Sequence, residues 1–161
     1  MLAIIKIVAS IRSVHMKQFF QIIWHLFLLL SMSANADSSA EELIASTIKN
    51  QWETLNRFVE VPVIAVGRNY ALADWMQGQR GGRALLRLSK GKWQTLMCGS
   101  AQLKTAQSLE RAGVPSAEAK QISESLATKE SNLSVEQLVL IDSFEGIVDV
   151  LTDSAHHHEY H

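Results

Sequence analysis

Residues 61–99 read VPVIAVGRNYALADWMQGQRGGRALLRLSKGKWQTLMCG, and the fold turns on this stretch. It divides into VPVIAVG (61–67), NYALADWMQ (69–77), RALLRLS (83–89) and KWQTLMCG (92–99). Glycine-containing breaks separate the runs: Gly67, the sequence GQRGG (78–82) and Lys90-Gly91. Short apolar runs, some β-branched, between such turns predict a four-stranded antiparallel meander. Alternation sorts the faces. In the third strand Ala84, Leu86 and Leu88 share one side, and Arg83 and Arg87 point to the other with Leu85 between them. In the fourth, Trp93, Thr95 and Met97 share a face opposite Leu96 and Cys98. Helices packed on one side would bury one face of such a sheet and leave the other wet.

Outward from the meander the period changes. Before it, Ile44, Ile48, Trp52, Leu55 and Val59 recur at steps of three and four, the spacing of one helical face. Ser39 and Glu42 have the form of a capping box at its start, and Pro62 stops any continuation. After Ser100 the helical period returns with Leu103, Ala106 and Leu109, closed by Gly113 as a C′ residue. Pro115-Ser116 opens a helix with Ile122 and Leu126 inward. Ser134 and Gln137 form a second capping box, opening a helix that carries Leu138, Ile141 and Phe144 and stops at Gly146. IVDVL (147–151) offers one edge strand. The expected fold is α+β: an N-terminal helix, the four-stranded meander and about three C-terminal helices.

The chain ends have a different character. Lys6, Arg12 and Lys17 precede FFQIIWHLFLLL (19–30), and Ala34-Asn35-Ala36 follows, with no acid before Asp37. A basic start, a short apolar run and a small-x-small exit predict a secretory signal peptide over residues 1–36. Twelve residues fall short of the roughly 20 that a membrane-crossing helix needs, although residues 1–11 could lengthen the run into an uncleaved anchor. Met16, just ahead of the apolar run, is an alternative start. Removing thirty-six of 161 residues leaves 125, enough for one domain (37–155) and a His-rich tail (156–161). That part keeps twelve basic residues against sixteen acids, a net charge of −4 with histidines neutral. This balance argues against nucleic acid. One cysteine, Cys98, excludes an internal disulfide.

The tail, HHHEYH, is the densest ligand cluster in the chain. In an extended segment His156 and His158 fall on one side, and His161 or Glu159 can close a site that also has His157 beside it. Neutral imidazole suits copper, zinc and nickel, with copper(II) held most tightly. The same residues also fit a solvated terminus that binds metal weakly. Cys98 offers a sulfur for copper(I), with Met97 and Met76 nearby in sequence or register, but a regular strand turns Met97 and Cys98 to opposite faces, and core packing is the favoured reading of all three. Asp74, inside an apolar strand, is expected to pair across the sheet with Arg83 or Arg87. No histidine lies in 37–155, and there is no Gly-x-Ser-x-Gly, phosphate loop or CxxC. An enzyme is therefore not expected. Asn132-Leu133-Ser134 matches a glycosylation acceptor but coincides with the predicted helix cap.

Several of these pieces together resemble one family. Ala73-Asp74-Trp75, Gly81-Gly82-Arg83-Ala84-Leu85-Leu86-Arg87, Gly91 and Trp93 leading to Cys98-Gly99, Ala112-Gly113-Val114-Pro115, Phe144-x-Gly146 and the terminal histidines are similar to the small exported bacterial proteins called copper uptake system-associated proteins. The likeness spans roughly residues 45–158. It implies a periplasmic, non-enzymatic accessory that meets a copper transporter or periplasmic copper carrier, reaching the membrane only through that partner. The positions it carries over as copper ligands are Cys98 and His156, His157 and His158. The chain departs from a copper carrier in its few methionines and in its Asp37-Ser38-Ser39 start, which lacks the third-place histidine of an amino-terminal copper(II) site. The competing expectation is a metal-independent interaction module that works through the Arg83 and Arg87 face or the 78–82 turn.

Overall fold

A computed structural model describes residues 33–150. The chain divides into two units, Met1–Ser39 and Ala40–His161, and the account below concerns the second. The Met16 and tail expectations lie outside the described residues, and so does the signal-peptide expectation up to residue 32.

Helix α1 (Ser33–Trp52) leads into β1 (Glu60–Val66), β2 (Tyr70–Gln77), β3 (Arg80–Ser89) and β4 (Lys92–Gly99). A 3-10 turn (Ala101–Leu103) follows, then α2 (Ala106–Arg111), α3 (Ser116–Glu130), α4 (Val135–Ile141) and β5 (Ile147–Asp149). The sheet runs β1-β2-β3-β4-β5, antiparallel at every pairing. The α+β fold and the meander are present, and the 147–151 run supplies a fifth strand at the β4 edge.

Turn chemistry explains the hairpins. Lys90 and Gly91 both adopt positive φ, 51° and 75°, between the paired residues Ser89 and Lys92. Such two-residue loops match the twist of the strands they join. The β2–β3 loop is Gly78-Gln79, with φ +62° at Gly78 only. The expected five-residue turn 78–82 is therefore two residues long, and Arg80–Gly82 belong to β3. Close packing explains the two glycines: a Cβ on Gly81 would lie 2.7 Å from the Leu140 carbonyl oxygen, and one on Gly82 would meet Trp75 and Phe144 at 3.0 and 3.1 Å. At the β1–β2 turn Glu118 of α3 accepts from the amides of Asn69 and Tyr70 at 2.6 and 2.8 Å.

Both sheet faces are buried, contrary to the expectation of one wet face. Val63, Ala65, Leu72 and Leu85 pack against Leu103, Leu109, Ile122 and Leu126 of the C-terminal helical layer. On the other face Ile64, Ala71, Ala73, Ala84, Leu86 and Cys98 pack against Ile44 and Ile48 of α1. The strands read as nearly continuous apolar runs for this reason. A bulge in β4 also changes the expected phase. Leu85 pairs with Met97 but Leu86 pairs with Thr95. Leu96 is the extra residue, so Leu96 and Met97 both meet the helical-layer core, while Trp93 joins Cys98 on the α1 side. One additional residue is enough to reverse a period-two pattern.

The helix ends follow their local signals, with two corrections. Gly113, φ +92°, closes α2: its amide donates to Glu110 O and the Val114 amide to Leu109 O, a Schellman arrangement. Ser134 and Gln137 cap α4 reciprocally, as expected. Helix α1 begins at Ser33, so Ser39 lies within it and does not cap it. The helix ends at Trp52, which leaves Leu55 96% exposed, although it continues the apolar spacing. Helix α4 stops at Ile141, and Phe144 lies beyond it, edge-on to Trp75 with ring centroids 5.9 Å apart.

Candidate functional site

The register places Asp74 of β2 directly across from Arg83 of β3. Both side chains face the helical layer, and both are completely buried. The expected cross-strand pair thus forms with Arg83, at 3.3 Å between Arg83 Nε and Asp74 Oδ1. Arg87, paired with Tyr70 and Gln94, is exposed.

Arg83 does more than answer Asp74. Its Nε and Nη2 both donate to Glu130 Oε1 at the end of α3, at 3.0 and 2.6 Å. Its Nη1 donates to Asp142 Oδ1 at the end of α4, at 2.5 Å. Lys104, after the 3-10 turn, reaches Glu130 Oε2 at 2.6 Å. A planar guanidinium with five donors suits such a hub, because it binds several carboxylates in fixed directions. Strand β2, helix α3 and the end of helix α4 are thereby tied to one side chain of β3. Burial works against the guanidinium's charge, but the hydrogen bonds it donates to Asp142 and Glu130 and the nearby carboxylates outweigh it, so the group holds its proton more firmly than usual.

Asp74 is the least satisfied member. Neither carboxylate oxygen receives a hydrogen bond among the described residues, although both are buried. The Nε–H nearest to it is directed at Glu130. The 3.3 Å contact is therefore Coulombic and not a hydrogen bond. Burial raises the Asp74 pKa from 3.8 to about 7; Arg83 and Lys104 lower it, and Glu130 and Asp142 add to the rise.

Cys98 lies on the opposite sheet face, buried, paired with Ala84 on one side and Val148 on the other. Burial pushes its thiol up to about 12, so it stays protonated near neutrality. Met97 belongs to the other face, as does Met76, which pairs with Gly81 in register with Asp74 and Arg83. Neither thioether is therefore placed beside the Cys98 sulfur. His156, His157, His158 and His161 fall outside the described residues. Among the described residues no group of three or more His, Cys, Asp or Glu could hold a metal ion, and no helix is long and apolar enough to cross a membrane.

Of the residues that converge on the hub, sequence reasoning singled out Asp74 and Arg83 but missed Lys104, Glu130 and Asp142. The available signal was a formal charge at positions where each strand is otherwise apolar. A charge there must be paired or neutralised, but nothing in the spacing names the partner. Surface clefts also lie among the described residues. One of about 610 Å³ is lined by Met97, Leu103, Arg111 and Ile147 among others. One of about 410 Å³ is lined by Trp75, Arg80, Phe144 and Glu145 among others. In comparisons with known proteins, no family model, no curated protein and no solved structure matches this chain.

Proposed function

We propose that this protein is an exported, periplasmic copper-handling accessory, whose body docks to a membrane uptake or resistance component and whose tail captures and passes the ion. The observation that carries this reading is the cluster His156–His161, four imidazoles in six residues, separated by a few residues from β5. Copper is here a cargo, and imidazole nitrogens bind copper(II) most tightly among the divalent series. Ligands that must be ordered on binding cost entropy that a preformed cage does not. Weak capture suits delivery, where the ion must leave again. The resemblance to copper uptake system-associated proteins, which extends through the meander to the terminal histidines, supports the same reading. So do the basic, apolar and Ala-x-Ala segments before Asp37, which fit export.

The test is a copper(II) titration of the natural product and of the same chain ended at Ala155. Binding in the first and none in the second supports the tail's role. Equal binding in both removes it.

A second reading, an interaction module that needs no metal, is favoured by one feature. The arginine face first expected to serve it is buried at Arg83. Arg87 stays exposed, and so does the turn Gly78–Arg80, beside the cleft lined by Trp75 and Phe144. On this reading a partner would be retained through chelator treatment and lost in an Arg80→Glu variant.

A further inference from the structure

The charged groups that face Asp74 come from every element packed over it: Arg83 of β3, Lys104 after the 3-10 turn, Glu130 of α3 and Asp142 at the end of α4. With Asp74 that makes three carboxylates against two cations, a surplus of one negative charge in a largely dry site. Glu130 and Asp142 each receive hydrogen bonds from Arg83, and Glu130 is also paired with Lys104. Asp74 receives none. A buried carboxylate without a donor is costly, and a neutral carboxyl is the cheaper form.

We propose that the folded protein retains one proton on the Asp74 carboxyl, and that this proton latches the C-terminal segment 142–149 to the sheet. An ionised Asp74 would pull on the same guanidinium that holds Glu130 and Asp142 and would repel both acids. Glu130 is buried and doubly held, whereas the Asp142 side chain is 40% exposed and water can solvate it at once. Asp142 is thus the tie that releases. It closes α4 and leads directly through Phe144 and Gly146 into β5, so its release frees the three-residue edge strand that precedes the tail. Short edge strands have few bonds of their own and draw on such anchors.

The sign follows from linkage. The latched form binds a proton that the open, hydrated form gives up at an ordinary carboxylate pKa. Opening therefore becomes easier as pH rises from about 4, by at most about tenfold per pH unit, and levels off above about 7. The device works with or without copper, so the failure of the tail reading leaves it standing.

The experiment is a pH series from 4 to 9 on the full chain. Carboxyl carbon NMR follows Asp74, and amide hydrogen exchange, corrected for its intrinsic rate, follows residues 142–149. The latch predicts an Asp74 carboxyl that titrates near 7. It also predicts protection in 142–149 that falls several-fold or more between pH 5 and 7 in the wild type and stays flat in Asp74→Asn. An Asp74 carboxyl that titrates below 5 overturns the proposal, and the wild-type measurement decides this even where the variant fails to fold. Protection that changes with pH equally in the folded Asn variant, or in neither protein, overturns the latch.

Discussion

Replacing Arg83 by methionine tests the hub in a single step. The substitution keeps an unbranched apolar stem of similar reach and removes the charge. In the wild type the guanidinium serves Glu130, which is buried, Asp74, which is fully buried, and Asp142, which is partly exposed. Without it Glu130 keeps only Lys104, and Asp74 faces no cation at contact distance. Breaking a buried ion group by removing one partner costs about 3–5 kcal/mol, because the remaining charge is left in a poor solvent. The exposed Asp142 tie adds about 0–1 kcal/mol. Against a domain stability of roughly 5–15 kcal/mol, that loss is about a fifth of the total or more. The melting temperature of the body is expected to fall by on the order of 10–20 °C. The informative partner is the triple variant Arg83→Met, Asp74→Val, Glu130→Met, which removes the three buried charges together and leaves only the partly exposed Lys104 and Asp142. Buried ion groups replaced as a set by apolar residues of similar size are often no less stable than the original, so the triple variant should recover most of the loss. Calorimetry and urea unfolding measure both. A single variant within 1 kcal/mol of wild type, or a triple variant no better than the single one, would refute the reasoning.

Three further expectations follow from the same geometry. Because the Asp74 pKa is raised from 3.8 to about 7, its contribution to stability is full below about pH 4 and is lost as pH rises to 7; the gap between Asp74→Asn and wild type should move by up to about 4 kcal/mol in the variant's favour across that window, and a pH-independent gap in urea unfolding contradicts it. Gly81→Ala should cost about 1–3 kcal/mol, since the new Cβ would sit 2.7 Å from the backbone oxygen of Leu140; a melting temperature equal to that of wild type would show that α4 does not pack there. The Cys98 thiol, buried and pushed up to about 12, should react with iodoacetamide at pH 8 only after denaturation, and rapid labelling of native protein would place it at the surface.

Local chemistry was the legible part of this molecule. Lys90-Gly91, Gly113 and the Ser134/Gln137 box each act within six residues, and each does in the structure what its sequence predicts. The departures arise where a distant element decides. The glycines at 81 and 82 look like a turn, yet they are strand residues flattened to admit α4 and two aromatic rings. Leu55 keeps the helical spacing but lies past the end of α1. The β4 bulge at Leu96 leaves no mark in composition, and it sends Trp93 and Met97, expected on one face, to opposite faces. For the site, the Asp74–Arg83 pair could be read because the two residues lie nine positions apart across one hairpin. Glu130 and Asp142 lie 47 and 59 residues from Arg83, and only tertiary packing brings them to it. Cys98 and the terminal histidines were named as ligands by type; the structure places the cysteine within the sheet's α1-facing core, and the histidines lie beyond the described residues.

The claim that the tail carries copper is tested most directly by electron paramagnetic resonance of the full chain loaded with one equivalent of copper(II), beside the chain ended at Ala155. The account predicts hyperfine structure from at least two imidazole nitrogens in the full chain and an unbound copper spectrum in the shortened one. A spectrum with oxygen ligands alone, or a nitrogen pattern that persists after residues 156–161 are removed, would contradict it.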